Sequence, residues 1–198
     1  MKASYSNILF LAILMSIISV SNQGLAAVKV SLSGSRSESN AGYQKIQSGA
    51  ASAGLSMDLG EYFMVGYTHR QELSSTVGYQ QLEGTNTFVY SKTLSHVTSN
   101  AVDLTLILYG GDIVTPFVFA GLAVKHYMID TTLDGQEPQH VSMPHYGPQG
   151  GAGLSIRLNQ KFSFKLTYTL TDGIKQLPGE SAEQTIDTYT QMGITYAL

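Results

Sequence analysis

From Gly150 to Asp172 the chain reads GGAGLSIRLNQKFSFKLTYTLTD, and its apolar residues fall at every second position. Ala152, Leu154, Ile156 and Leu158 alternate with glycine, serine and Arg157. After Asn159-Gln160-Lys161, Phe162, Phe164, Leu166, Tyr168 and Leu170 alternate with Ser163, Lys165 and three threonines. A period of two is the signature of a β-strand, and a short polar break between two such runs marks a hairpin. Strands of soluble domains run about five or six residues. These are nearly twice that, so the question is what their apolar face covers.

The same alternation recurs along the chain. Val28, Val30 and Leu32 mark a first strand, Ala51 to Leu59 a second, and Phe63, Val65 and Tyr67 a third. Val102, Leu104, Leu106 and Leu108 mark the fourth, with Asp103, Thr105, Ile107 and Tyr109 opposite. The fifth runs from Pro116 to about Met128, and proline is tolerated at a strand start. The sixth and seventh are the pair above, and the eighth is Ile186 to Leu198. Gly60-Glu61, Gly110-Gly111-Asp112 and Asn159 to Lys161 are short turn signals. Ser37–Gly49, Gln71–Ser99, Asp130–Tyr146 and Gly173–Glu183 are long and polar. Alternating short and long connectors put every long loop at one end. The expectation is all-β: an eight-stranded antiparallel up-and-down barrel.

Two barrels fit such a pattern. In a soluble ligand carrier the apolar face lines a central cavity; in a transmembrane barrel it faces lipid, and small or polar residues fill the lumen. The opposite face decides. It is dense in glycine, serine and threonine, and only 13% of all residues are charged against 43% apolar, about half the charge usual for soluble domains. A water-facing exterior would carry more and longer charges. A tilted strand of about 9–11 residues spans a bilayer, and closure satisfies the backbone groups that lipid cannot. The expectation is a transmembrane β-barrel with short periplasmic turns and long extracellular loops. Leu104, Leu154 and Leu166 should then point outward.

The N-terminus reads as a targeting segment. Lys2 precedes a 13-residue apolar stretch, Ile8–Val20, and Gly24-Leu25-Ala26-Ala27 offers small residues for cleavage. Such a stretch is short for a membrane-spanning helix; residues 1–27 are expected to be a removed secretory signal peptide and 28–198 the barrel. Cysteine is absent, so no disulfide framework is available. A formal charge of −3 shows no basic footprint for nucleic acid.

TPFVFAGLAV (Thr115 to Val124), GPQGGAGLSIRL (Gly147 to Leu158) and QMGITYAL (Gln191 to Leu198) resemble the small bacterial outer-membrane β-barrel family, the type of the OmpA membrane domain, the opacity proteins and the Ail-like adhesins. The shared features are a proline-aromatic start to the fifth strand, a glycine-rich sixth strand and an alternating apolar C-terminal strand. The resemblance implies a place in the bacterial outer membrane, among its lipid and lipopolysaccharide. It also implies recognition of the C-terminal strand by the outer-membrane assembly machinery. Members commonly end in phenylalanine; here Leu198 stands last, with Tyr196 two before it on the same face. The resemblance specifies architecture and leaves function open.

Seven ionic residues fall on the expected lumen face: Asp58, Arg70, Asp103, Lys125, Arg157, Lys165 and Asp187. They read either as a selective pore or as buried ion pairs plugging the barrel. Eight strands leave an interior just wide enough for side chains, which favours the plug, and unpaired buried charges cost several kcal/mol each. Asp103 is therefore expected to pair with Lys125, Arg157 or Lys165. Phe63, Phe162 and Tyr196 lie near short-turn ends on the apolar face, where interfacial aromatics belong. In the second long connector, TFVYSKTL (Thr87 to Leu94) alternates and should prolong the third and fourth strands above the membrane. Tyr79, Phe88 and Tyr90 would then be exposed to partners.

Sites for chemistry are sparse. Glu137, His140 and His145 share one connector, but metal ligation needs them to converge. His96, Thr98 and Asn100 faintly resemble the constellation of outer-membrane lipid A deacylases, although their place before the fourth strand does not suit that family. His126 reads as an interfacial residue. No phosphate loop, paired-carboxylate site or nucleotide fingerprint appears, and no cofactor is implied. The expectation is a non-enzymatic barrel with a structural or adhesin-like role through its loops, meeting host or envelope proteins there. A narrow pore, a route for small apolar molecules, and a lipid-modifying enzyme using His96 or His126 are the alternatives.

Overall fold

The computed structural model describes residues 27–41, 43–81, 87–108, 113–175 and 183–198. The expected signal segment through residue 26, the Gly110-Gly111-Asp112 turn with Tyr109, and the tips 82–86 and 176–182 lie outside the described residues. Eight strands follow one another: β1 (Val28–Ala41), β2 (Gln44–Asp58), β3 (Phe63–Gln81), β4 (Phe88–Ile107), β5 (Val114–Leu133), β6 (Gln139–Arg157), β7 (Phe162–Lys175) and β8 (Glu183–Ala197). Each pairs antiparallel with the next, and β8 returns to β1, closing the ring.

The register fixes the shape. Partners followed around the ring from Val114 pass through Ile156, Phe164, Ile194, Leu32, Ala53, His69 and Asn100. They return to β5 at Val124, ten residues from the start. Strands lie about 4.8 Å apart and rise about 3.3 Å per residue; that shift then sets a strand tilt of roughly 40° and a backbone radius of about 8 Å. Each residue advances about 2.5 Å along the axis, so about ten residues cross an apolar belt 25 Å tall.

The two faces separate as the alternation requires. Leu104, Leu122, Leu154 and Ile194 point outward and are exposed, and Leu166 sits beside Leu154 on the same face. Ser52, Asp103, Lys125, Gln149, Thr169 and Gln191 point inward and are buried. The cylinder therefore presents its apolar side chains to the surroundings and its polar ones to the axis, as a transmembrane barrel does and a soluble carrier does not. In the belt, cohesion comes from the closed ladder, because every strand finds a partner on both sides.

The long connectors are largely strand. β1 and β2 pair from Val28↔Met57 up to Ala41↔Gln44, and β3 and β4 from Phe63↔Leu106 up to Gln81↔Phe88. The Asp130–Tyr146 connector narrows to the five residues between Leu133 and Gln139. β3 to β6 reach 19 or 20 residues each, against 14 or 15 for the other four. The far end is thus a tall wall on one side of the ring.

Above the belt the ring is open along two seams. β6 pairs with β5 as far as Gln139 but with β7 only from Arg157 to Gln149. Arg157 donates its amide toward β5 and Leu158 toward β7, so the even positions of β6 face β7. The first even position beyond Gln149 is Pro148, which has no N–H to donate, and Pro144 repeats the defect four residues on. The carbonyl opposite, on Asp172, takes a long 3.5 Å contact from the Thr171 hydroxyl instead. β1 and β8 pair only over Lys29–Gly34 and Met192–Ala197; nothing in the two sequences explains why that ladder stops.

Candidate functional site

The lumen collects ionic and hydroxyl side chains because eight strands place them on one parity. At the short-turn end Lys29 Nζ lies 2.7 Å from Asp58 Oδ1. Midway, Asp103 accepts a 2.6 Å hydrogen bond from the Gln149 amide. Their strands are not neighbours: Gly121 of β5 stands between, paired with both. With no side chain at Gly121, the amide reaches the carboxylate across the gap. A Cβ there would meet Asp103 Oδ1 and the backbone of Val102 and Asp103.

Asp103 therefore takes an amide, not the expected lysine or arginine, as its direct partner. Lys165 attracts it across the lumen but makes no ion pair among the described residues; its ammonium sits 4.6 Å from the centre of the Phe117 ring. Arg157 lines the short-turn mouth of the lumen, exposed and likewise without an ion pair among the described residues.

Toward the far end a second group forms. Lys125, 5% exposed, donates to Asp187 Oδ2 at 3.0 Å, and the Tyr127 hydroxyl reaches the same oxygen at 3.3 Å. Arg70 Nη2 lies 2.7 Å from Glu72 Oε2, and its guanidinium stacks 3.5 Å from the centre of the Tyr189 ring. Its Nε is buried without a hydrogen-bond partner among the described residues. Lys29, which the alternation puts on the polar face of the first strand, completes the network with Glu72, Tyr127, Gln149 and Tyr189; none of the five is among the seven ionic residues expected there. Glu72, Tyr127 and Tyr189 each stand two positions from an expected ionic residue, so continuing the alternation past the assumed strand ends would have found Glu72.

The lumen is not solid. A cavity of about 740 Å³ opens at the short turns, lined there by Gly60, Glu61 and Asn159–Lys161. A second, of about 370 Å³, lies beyond it around Glu72, Lys125 and Asp187. Arg70, Ser99 and Tyr189 line both, so the stacked guanidinium and phenol form the partition between them.

On the outer surface, Phe162 and Tyr196 are register partners with ring centres 5.0 Å apart, and Phe63 is exposed on the same belt. At the upper edge of the belt Asn100 Oδ1 accepts from the Tyr67 hydroxyl at 2.7 Å and lies 2.9 Å from His69 Nδ1. Higher still, Tyr79 and Tyr90 pair edge to face at 5.7 Å, and Phe88 meets Tyr43 at 6.3 Å. All four are exposed. Tyr90 stands ten positions beyond Asn100 on β4, roughly 25 Å along the axis. Tyr43, in the β1–β2 turn, joins a patch that the sequence confines to the second connector.

The candidate chemistries do not assemble. His140 points outward, 2.6 Å from Asp130. His145, of opposite parity on β6, lies 3.2 Å from Asp172; the two cannot converge, and no cluster of three metal-ligating residues occurs among the described residues. His96, Thr98 and Asn100 share the outer face of β4, but Asn100 is held by Tyr67 and His69. No hydrogen bond joins His96 to Thr98 among the described residues. His126 Nε2 does lie 3.2 Å from the Ser142 hydroxyl, yet no carboxylate orients its other nitrogen among the described residues, as a catalytic base requires.

Comparison with known proteins agrees on the architecture. No protein-family model matches the sequence, and no curated protein matches it. Among solved structures the chain is similar to the outer membrane protein OprG of Pseudomonas aeruginosa, with a TM-score of 0.55 and 10% identity over 87% of this chain and 95% of that one. It is similar to Neisserial surface protein A, at a TM-score of 0.52 and 11% identity over 87% and 97%. It is also similar to Ail, the attachment invasion locus protein of Yersinia pestis, in a complex with the heparin analogue sucrose octasulfate. There the TM-score is 0.50 and the identity 13% over 87% and 97%. At such identities the likeness is one of fold: the small transmembrane barrel of bacterial outer membranes.

Proposed function

We propose that this chain is a non-catalytic outer-membrane barrel that presents its tall β3–β6 wall as an attachment surface. One observation carries the reading. Tyr43, Tyr79, Phe88 and Tyr90 form an exposed aromatic patch on paired strands far above the belt, where no lipid tail covers them. Aromatics on a rigid scaffold contribute contact area at low entropic cost and dominate interface energetics. The partner is a host or envelope protein. Lipid and lipopolysaccharide surround the belt, and the assembly machinery reads the β8 end, where Leu198 replaces the usual aromatic.

The test is attachment. Cells carrying the wild-type chain and a Tyr43→Ser/Tyr79→Ser/Phe88→Ser/Tyr90→Ser variant, matched for heat-modifiable surface protein, are counted on an epithelial monolayer. A several-fold loss in the variant is expected; equal attachment rejects the reading.

The two cavities favour a pore as the second reading. The Arg70–Tyr189 partition opposes it, so wild-type protein in planar bilayers should show no steady conductance; regular unitary steps would establish the pore. A route for small apolar molecules has no continuous apolar lining in this lumen. A lipid-modifying role for His126 predicts altered lipid A, and unchanged lipid A mass removes it.

A further inference from the structure

We propose that the lumen cavity at the short-turn end is a binding site for a small organic anion, a carboxylate on an aromatic or apolar body, entering from the periplasmic side. This goes beyond the attachment reading and stands independently of it.

Four cations line the cavity, Lys29, Arg70, Arg157 and Lys165, against the two carboxylates of Asp58 and Asp103; Glu61 and Lys161 at the mouth cancel. Lys29 is consumed by Asp58 at 2.7 Å. Asp103 accepts from the neutral Gln149 amide at 2.6 Å and keeps its charge, which faces Lys165 across the lumen. Lys165 and Arg157 are left without ion pairs among the described residues. Arg70 is held through one nitrogen by Glu72 from the far side, while its Nε is buried without a hydrogen-bond partner among the described residues. The cations around the lumen thus outnumber its carboxylates, and in a confined, narrow space that excess selects for negative charge.

The body of the ligand follows from the apolar side chains beside those cations. Phe117, Phe119, Ile107 and Met64 line the same cavity, and Lys165 already lies over the face of Phe117. A carboxylate that meets the Lys165 ammonium therefore places its attached group against aromatic carbon. About 740 Å³ lies in the range of small-molecule sites. The register sets the two cations on opposite walls: Lys165 leads through Gly193, Ser33 and Ser52 to Arg70, four strands away. With the tilt, Arg70 stands roughly 12 Å deeper. The site is a blind pocket with Lys165 near its mouth and Arg70 as its end wall.

The probe is 2-naphthoate, titrated by its own fluorescence against the refolded 28–198 chain in nanodiscs. 2-Naphthylmethylammonium and 2-naphthylmethanol serve as charge controls, and empty nanodiscs supply the partition baseline. Saturable one-to-one binding of the carboxylate, at least tenfold tighter than the ammonium, is expected. Lys165→Met should weaken it tenfold or more, and Lys92→Ala, at the far end of the wall, should leave it unchanged. Far-ultraviolet circular dichroism and heat-modifiable migration verify that Lys165→Met keeps the barrel; if it does not fold, Arg157→Gln with the three wild-type titrations decides. Equal binding of the cation, no binding above empty nanodiscs, or undiminished binding by the folded variants overturns the proposal.

Discussion

Replacing Gly121 by alanine tests how the lumen network is built. The added Cβ would overlap the Val102 carbonyl oxygen and Asp103 Oδ1 and stand 2.8 Å from Asp103 Cα. Two of those three atoms are backbone in the neighbouring strand, so no rotamer change relieves them. The strand must shift, and overpacking of this kind costs about 1–3 kcal/mol. The shift also separates Gln149 from Asp103, now 2.6 Å apart, and a hydrogen bond to a charged group contributes about 1.5–3 kcal/mol. Together the loss should be about 2.5–6 kcal/mol. Gly150→Ala is the control: its Cβ meets only the Phe119 carbonyl oxygen, at 3.2 Å, and the Ala120 Cα at 3.9 Å, and should cost under about 1 kcal/mol. The chain has no tryptophan, so reversible urea unfolding in lipid vesicles is followed by circular dichroism and gel migration. A Gly121→Ala barrel as stable as the Gly150→Ala one would refute the claim that an empty lane across β5 carries the Asp103–Gln149 bond.

Three further outcomes follow. Pro148→Ala restores an N–H facing Asp172 and should extend the β6–β7 ladder by one rung, seen as slow hydrogen exchange at residue 148, with a gain of about 0.5–1.5 kcal/mol; fast exchange there would mean the proline does not set the seam. Asp187→Asn leaves Lys125 buried without its carboxylate. Breaking a buried pair costs about 3–5 kcal/mol, and because Asp187 is 42% exposed about 2 kcal/mol is expected, largely recovered by adding Lys125→Met. At the far end, hydrogen bonds from Lys45 and Gln47 hold the Glu38 carboxyl below its ordinary range. A carboxyl lowered in the folded state contributes above its unfolded pKa and loses that contribution as pH falls through the folded one. A titration of Glu38 followed by nuclear magnetic resonance should have its midpoint below that of a free glutamate, moving upward in Lys45→Met.

The barrel was legible because lipid and a narrow lumen each impose one residue class on one parity, and parity survives in a single sequence. Leu104 outward and Asp103 inward follow from position alone. The heights of the strands were not legible. Above the belt both faces are wet, the apolar alternation that marks β3 as far as Tyr67 fades, and Gln71 to Gln81 reads as loop although it is paired strand. That loss hid Glu72, the ion-pair partner of Arg70. Gln149 was hidden differently: the glycine-rich stretch around it reads as lining, and only the register shows that Gly121 opens a path to Asp103. The seam was written in Pro144 and Pro148, yet Pro144 reads as part of a polar connector and Pro148 as the start of a glycine-rich stretch until β6 is seen to run through both.

The lumen and the wall obey different physics, and this is why one chain can carry two separate surfaces. Inside the belt, closure is compulsory: any unpaired backbone group facing lipid costs several kcal/mol, and Arg157 to Gln149 of β6 accordingly keep both neighbours. Above it, water satisfies an open edge at little cost, so Pro148 is tolerated at the first position where the ladder is no longer needed. If the seam marks that boundary, moving the proline two residues down the strand, as Gly150→Pro in a Pro148→Ala background, places the missing N–H inside the belt. The barrel should then fail to reach its heat-modifiable form in vesicles, whereas Pro148→Ala alone folds. A double variant that folds as well as the single one would show that the belt ends lower than the exposed leucines imply.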